Sequence, residues 1–242
     1  MTFVPSRILL TLLLVAASAC SVSEAACGKA PGEASVLPTA ITGESAQPQA
    51  PTGFTIAFLG DSLTAGLGLL TNQNFPRLIG EKFVAEGFAD IDVMNAGLSG
   101  DTTASGLRRA GQVLTDPSIR IMVVALGGND ALRGLSVAES KENLRQIIEL
   151  GLSRDVYVML CGMQAPTNLG EDYQTSFKQM YFDLLRDYQR RIVYVSFLLE
   201  GVAGRPEMNQ PDGIHPNEAG AKVIADLLFP QLRSMVDQVG GG

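Results

Sequence analysis

The sequence predicts an α/β fold, a three-layer α/β/α sandwich on a parallel sheet, and two observations carry that prediction. Five short apolar runs alternate with five amphipathic stretches, the order produced when each strand is followed by a crossover helix. The first run, Phe54-Thr55-Ile56-Ala57-Phe58-Leu59, has almost no polar member, as a strand covered on both faces requires.

That run stops at Gly60-Asp61-Ser62-Leu63, where glycine allows a sharp turn. In open parallel sheets ligands bind beyond the carboxyl ends of the strands, so the Ser62 hydroxyl stands where chemistry would occur. Asp61 or Ser62 can equally serve as the N-cap of the next helix. Pro76 opens a helix at its first position, with Leu78, Ile79, Lys82 and Phe83 at helical spacing. Residues 91–95 form a shorter, less uniformly apolar strand. It leads into Asn95-Ala96-Gly97-Leu98-Ser99-Gly100-Asp101-Thr102, in which Asp101 is placed to cap a helix containing Leu107 and Ala110. The third strand, 119–126, ends in Gly127-Gly128-Asn129-Asp130. Ser136-Val137-Ala138-Glu139 reads as a capping box ahead of Leu144, Ile147 and Ile148. A strand at 156–161, a helix at 173–188, a strand at 192–196 and a helix at 217–236 complete the alternation.

Ahead of this domain the chain changes character. Residues 1–19 carry Arg7, an apolar run and then small residues, the three parts of an export signal, and are too short to span a bilayer. Two cleavage readings compete. Ala17-Ser18-Ala19 fits an A-x-A site, while Ala17-Ser18-Ala19-Cys20 is similar to a bacterial lipobox, with alanine where leucine is usual, and would make Cys20 a lipidated first residue. Cys27 is a poorer candidate. Residues 20–52, rich in Ala, Pro, Ser, Gly and Thr, read as a disordered tether, and 53–239 as one catalytic domain. The expected location is therefore the periplasm or, through Cys20, the surface of a membrane.

Composition excludes several partners. The chain has 18 Lys and Arg against 25 Asp and Glu, a net charge of −7, which becomes −8 once Arg7 leaves with the signal; no basic run offers itself to nucleic acid. Cys27 and Cys161 could pair only by drawing the tether onto the core, so no structural disulfide is expected, and Cys161 reads as a small buried hydrophobe. A single histidine and no cysteine pair at zinc-ligand spacing argue against a metal site, and no nucleotide or dinucleotide fingerprint occurs, so no cofactor is expected.

That one histidine lies in Asp212-Gly213-Ile214-His215-Pro216-Asn217. A lone histidine is more often structural than catalytic. Here Asp212 precedes it by three residues, close enough to orient the imidazole, Pro216 stiffens the exit, and Asn217 can cap the last helix. A serine hydroxyl needs a base, the base needs a carboxylate, and the developing oxyanion needs fixed donors. Ser62, His215, Asp212, Gly100 and Asn129 supply one of each, at strand ends or in the loop before the last helix.

With those blocks assembled, residues 54–236 resemble the SGNH or GDSL hydrolases, in particular the bacterial branch of thioesterase I, lysophospholipase L1 and periplasmic arylesterases. Gly60-Asp61-Ser62-Leu63, Ser99-Gly100-Asp101-Thr102, Gly127-Gly128-Asn129-Asp130 and Asp212-Gly213-Ile214-His215-Pro216 match its four blocks in order. The resemblance implies a flavodoxin-like five-stranded parallel sheet, Ser62 as nucleophile, His215 as base oriented by Asp212, and an oxyanion hole from the Ser62 N–H, the Gly100 N–H and the Asn129 side chain. Gly97 is the alternative to Gly100. Through the loops Ala131-Leu132-Arg133-Gly134 and Pro166-Thr167-Asn168-Leu169-Gly170 it implies that Leu132, Arg133 and Asn168 contact substrate. Leu67, Leu69 and Leu70 could rim an acyl site or belong to the core. The activity expected is a monomeric serine esterase acting on small acyl esters or thioesters. The rivals are a carbohydrate O-deacetylase of the same fold and, in a different class, a surface-tethered module that only binds an anionic ligand.

Overall fold

The computed structural model describes residues 53–240; the expected signal, Cys20, Cys27 and the whole of the expected tether lie outside the described residues. In chain order the elements are β1 (Phe54–Gly60), α1 (Ser62–Ala65), α2 (Phe75–Ala85), β2 (Ile91–Gly97), α3 (Thr103–Val113), β3 (Ile119–Ala125), α4 (Gly128–Leu132), α5 (Val137–Leu152), β4 (Tyr157–Cys161), α6 (Glu171–Asp187), β5 (Ile192–Val195) and α7 (Glu218–Gly240). The five strands are parallel in the order β2-β1-β3-β4-β5.

Burial explains each strand's composition. β1 and β3 are interior strands covered on both faces, and all of β1 and all but Arg120 of β3 are buried. β2 is an edge strand with mostly half-exposed positions, which is why it reads as less apolar. Helices α3, α5 and α6 pack in sequence as one layer, and α2 packs on α7 in the other. The core between them includes Phe58, Phe83, Ile121, Met122, Phe177 and Leu228. Cys161 is free and fully buried there, where burial pushes its thiol up to about 12 and removes it from nucleophilic chemistry.

The chain runs from β1 outward to β2, then returns past β1 to β3 and onward. This reversal opens a crevice at the carboxyl ends of β1 and β3, the place where such sheets bind ligands.

The structure differs locally from the sequence reading in three ways. The five long helices are joined by two single-turn helices, α1 and α4, which begin directly at the ends of β1 and β3. Thr102, not Asp101, caps α3: its Oγ1 accepts from the Ser105 N–H at 3.3 Å, with the Ser105 hydroxyl answering the Thr102 N–H. Asp101 is drawn away by a charged partner, Arg109, whose Nε lies 2.5 Å from its Oδ2. At α5 only the forward half of the capping box forms, from Glu139 N–H to Ser136 Oγ.

Candidate active site

Helix α1 starts at the nucleophile candidate because Asp61 caps it. Asp61 Oδ1 accepts from the Leu63 N–H at 3.0 Å, which leaves Ser62 as the first helical residue, its own N–H without an intrahelical acceptor. Packing makes this turn tight. A side chain at Gly97 would meet the backbone of Ala65 at 2.2 Å, so β2 must present glycine where α1 crosses it.

The histidine arrives on the loop between β5 and α7. An antiparallel bridge between Asn209 and Pro216 and the bond from Gln210 N–H to His215 O at 2.8 Å close that loop on itself. Gln210 then reaches across with Nε2 to the Leu67 carbonyl at 2.6 Å, tying the histidine loop to the segment that follows Ser62. Asn217 caps α7 through the Gly220 N–H at 3.1 Å, as the sequence suggests.

These supports bring residues 153 positions apart within hydrogen-bond distance: Ser62 Oγ lies 2.9 Å from His215 Nε2. On the other side of the ring Nδ1 lies 2.6 Å from Asp212 Oδ2. Asp212 Oδ1 accepts from the N–H groups of His215 at 3.0 Å and Ile214 at 2.9 Å. The His215 backbone N–H, then its ring, then the Ile214 N–H hold the Asp212 carboxyl down to about 2, so it is charged at any neutral or mildly acidic pH. A charged carboxylate at Nδ1 keeps the proton on that nitrogen and leaves Nε2 free to accept one from Ser62.

Two further strand ends carry the other candidate donors. Asn129, on α4, donates through Nδ2 to the Asp101 carbonyl at 3.0 Å and to Asp61 Oδ2 at 3.3 Å. Gly100 has φ of +85°, a conformation that favours glycine, in a turn closed by the Asp101 N–H on the Leu98 carbonyl. The two glycines between which the sequence reading chose differ here: the Gly97 N–H is bonded to Asn95 Oδ1 at 2.9 Å, whereas the Gly100 N–H has no acceptor among the described residues. Asp61, almost wholly buried beside these groups, has its carboxyl raised to about 6 by desolvation, against the opposing pull of the Leu63 N–H, the His215 charge and Asn129.

Ser62, Asn129 and His215 open into one cleft of about 700 Å³. Of the residues expected to contact substrate, only Leu132 lines it. Arg133 instead donates to the Gly100 carbonyl at 3.0 Å, and Asn168 is exposed on a short 3₁₀ turn whose neighbours Pro166 and Thr167 take the lining position. Leu67 and Leu69 border Ser62 in a separate crevice of about 10 Å³, room for about one water molecule, and Leu70 lines neither space. Met163, Phe197, Leu199 and Ile214 supply the apolar wall that the sequence reading missed. Met163, Phe197 and Leu199 follow the ends of β4 and β5 by two to four residues, so the strand-end rule that picked out Ser62 could have found them. Another concavity of about 630 Å³ runs along α2 and β2 past Arg77, Glu81 and Asp92, but no serine, histidine or cysteine lines it. Among the described residues no group of three His, Cys, Asp or Glu side chains could hold a metal ion.

Residues 58–223 match the GDSL-like lipase/acylhydrolase family. The chain belongs to that family. Among relatives of this GDSL-like chain, esterase TesA of Pseudomonas aeruginosa is 36% identical over 182 residues, covering 75% of this chain and 89% of its own. Thioesterase 1/protease 1/lysophospholipase L1 of Escherichia coli K12 is 33% identical over 183 residues, covering 76% and 85%. The crystal structure of the psychrotrophic esterase EstA from Pseudoalteromonas sp., inhibited by monoethylphosphonate, superimposes with a TM-score of 0.70 at 28% identity over 76% of this chain and 98% of that one. The chain is therefore an ester-bond hydrolase with the α/β fold of the SGNH hydrolases.

Proposed function

We propose that the protein is a serine esterase that works through a Ser62-His215-Asp212 triad and a covalent acyl-enzyme. The observation that carries this is the unbroken hydrogen-bonded relay from Asp212 through both nitrogens of His215 to Ser62 Oγ, opening on an apolar cleft. In this reading His215 Nε2 takes the hydroxyl proton as Ser62 Oγ attacks the ester carbonyl. The N–H groups of Ser62 and Gly100 and the Asn129 amide receive the oxyanion, His215 returns the proton to the leaving group, and water repeats the sequence to release the acid.

The cleft argues for the kind of ester. Leu132, Met163, Phe197, Leu199 and Ile214 favour an alkyl or aryl group, and no lysine or arginine lines the cleft to receive a phosphate. A neutral acyl or aryl ester therefore fits better than an anionic headgroup, and better than a sugar acetate. The enzyme acts as a monomer after export, held at a membrane surface through Cys20; membrane partitioning of the wild type against Cys20→Ser checks the anchor.

The test is hydrolysis of a chromogenic short-chain ester together with labelling by an organophosphonate. Wild type should turn over the ester and gain one phosphonyl group at Ser62, and Ser62→Ala should do neither while remaining folded. Undiminished labelling of the variant would remove Ser62 from the mechanism. Tight binding of an anion without any turnover by the wild type would instead support the binding module.

A further inference from the structure

The oxyanion donors come from three separate strand ends, and something must hold those ends in register. We propose that Arg109 is the positioning residue that does so. It sits in the second turn of α3, with a side chain only 20% exposed, and its guanidinium sends three donors to three different segments. Nε bonds Asp101 Oδ2 at 2.5 Å, one terminal nitrogen bonds the Ala96 carbonyl at 2.6 Å, and the other bonds the Gly60 carbonyl at 2.7 Å.

Each acceptor belongs to a piece of the proposed machinery. Gly60 ends β1 and immediately precedes Asp61 and Ser62; its carbonyl also accepts from the Leu98 N–H at 3.0 Å. Ala96 lies at the end of β2, from which the Gly100 turn departs. Asp101 follows Gly100, and its main-chain carbonyl is the acceptor that aims the Asn129 amide. One planar cation therefore links the nucleophile's strand, the loop of the second donor and the orienting contact of the third. Lysine could keep the charge beside Asp101 but, as a compact point charge without the planar fork, could not reach both carbonyls as well.

This inference rests on the serine-hydrolase reading, and the experiment separates the two. Arg109→Lys and Asp101→Asn would be compared with wild type and with Arg108→Met, which removes the neighbouring exposed cation. For each protein kcat and KM for a chromogenic ester are measured per active site, titrated to completion with an organophosphonate, alongside the melting temperature and the pH–activity profile. Misplaced oxyanion donors cost turnover rather than affinity, so Arg109→Lys should lose about 10- to 100-fold in kcat with KM within about threefold. The acidic limb should stay where it is, because His215 and Asp212 are untouched, and Arg108→Met should match wild type. A kcat per titrated site within about twofold of wild type, whatever the melting temperature does, would overturn the proposal, as would a loss confined to KM. If Arg109→Lys fails to fold, Asp101→Asn decides. It keeps the main-chain carbonyl and the side-chain shape but weakens the guanidinium's hold, and unchanged kcat there overturns the proposal equally. A wild type without turnover would refute the hydrolase reading itself; normal turnover in both variants would refute only the role of Arg109.

Discussion

Replacing Asp61 by Asn should shift stability in the variant's favour as pH rises and should lower activity, and the structure supplies the size of the first effect. The Asp61 carboxyl lies buried with one oxygen on the Leu63 N–H and the other 3.3 Å from Asn129 Nδ2, and desolvation raises it from 3.8 to about 6. A carboxyl whose folded value is raised keeps its proton in the native state after the unfolded chain has lost it, so stability falls as pH rises between roughly 4 and 6. A rise of that size corresponds to about 3 kcal/mol, almost fully felt above pH 7, reduced to about 0.5 kcal/mol at pH 4 and gone by about pH 3. An amide has nearly the shape of the protonated acid but cannot ionise. Urea unfolding of wild type and Asp61→Asn at pH 4 and pH 8 should therefore give a difference that shifts by about 2.5 kcal/mol in the variant's favour between the two. Activity should move the other way. An amide offers one acceptor to two donors, so either the α1 cap or the orientation of Asn129 is lost, and kcat should drop by at least about tenfold. A stability difference that stays level from pH 4 to pH 8 would refute the argument, because it would mean that Asp61 ionises in the folded protein as readily as in water.

Two further outcomes test the site. Asn129→Ala should reduce kcat by roughly 10² to 10³ with little change in KM, the usual cost of one oxyanion donor; a change in KM alone would make Asn129 a substrate contact instead. Asp212→Asn should lower the plateau of the pH–rate profile by about 10⁴, because the imidazole loses the acceptor that fixes its tautomer. Asp212, held down to about 2, is lost as a charged partner only when pH falls through that value. Above pH 4 the acidic limb of the wild-type profile must therefore come from another group, and a limb that follows His215 resonances in NMR would assign it. A plateau within tenfold of wild type in Asp212→Asn would remove Asp212 from the triad.

Much of this protein is determined by short-range chemistry that can be read along the chain. The run Phe54 to Leu59, short, β-compatible and stopped by a glycine, reads as a doubly covered strand, and it is one. The single His215 with Asp212 three positions earlier can be paired on spacing alone, since the contact is made within one loop. The edge position of β2 is foreshadowed by its broken apolar pattern. Tertiary structure decides what depends on distant parts of the chain meeting. Ser62 and His215 approach to 2.9 Å only because the strand order places β1 in the sheet interior and Gln210 staples the last loop across to Leu67. Asp101 reads as a helix cap and becomes the partner of Arg109 instead, because a buried carboxylate gains more from a guanidinium eight residues on than from a backbone N–H that Thr102 can satisfy. The cleft wall of Met163, Phe197, Leu199 and Ile214 comes from two loops, and no local periodicity marks residues that become neighbours only when the sheet is assembled. Asp61 is the sharpest case. Its place in Gly-Asp-Ser is plain from the sequence, but the desolvation that raises its carboxyl arises only when Asn129 and the ends of β1 and β3 enclose it.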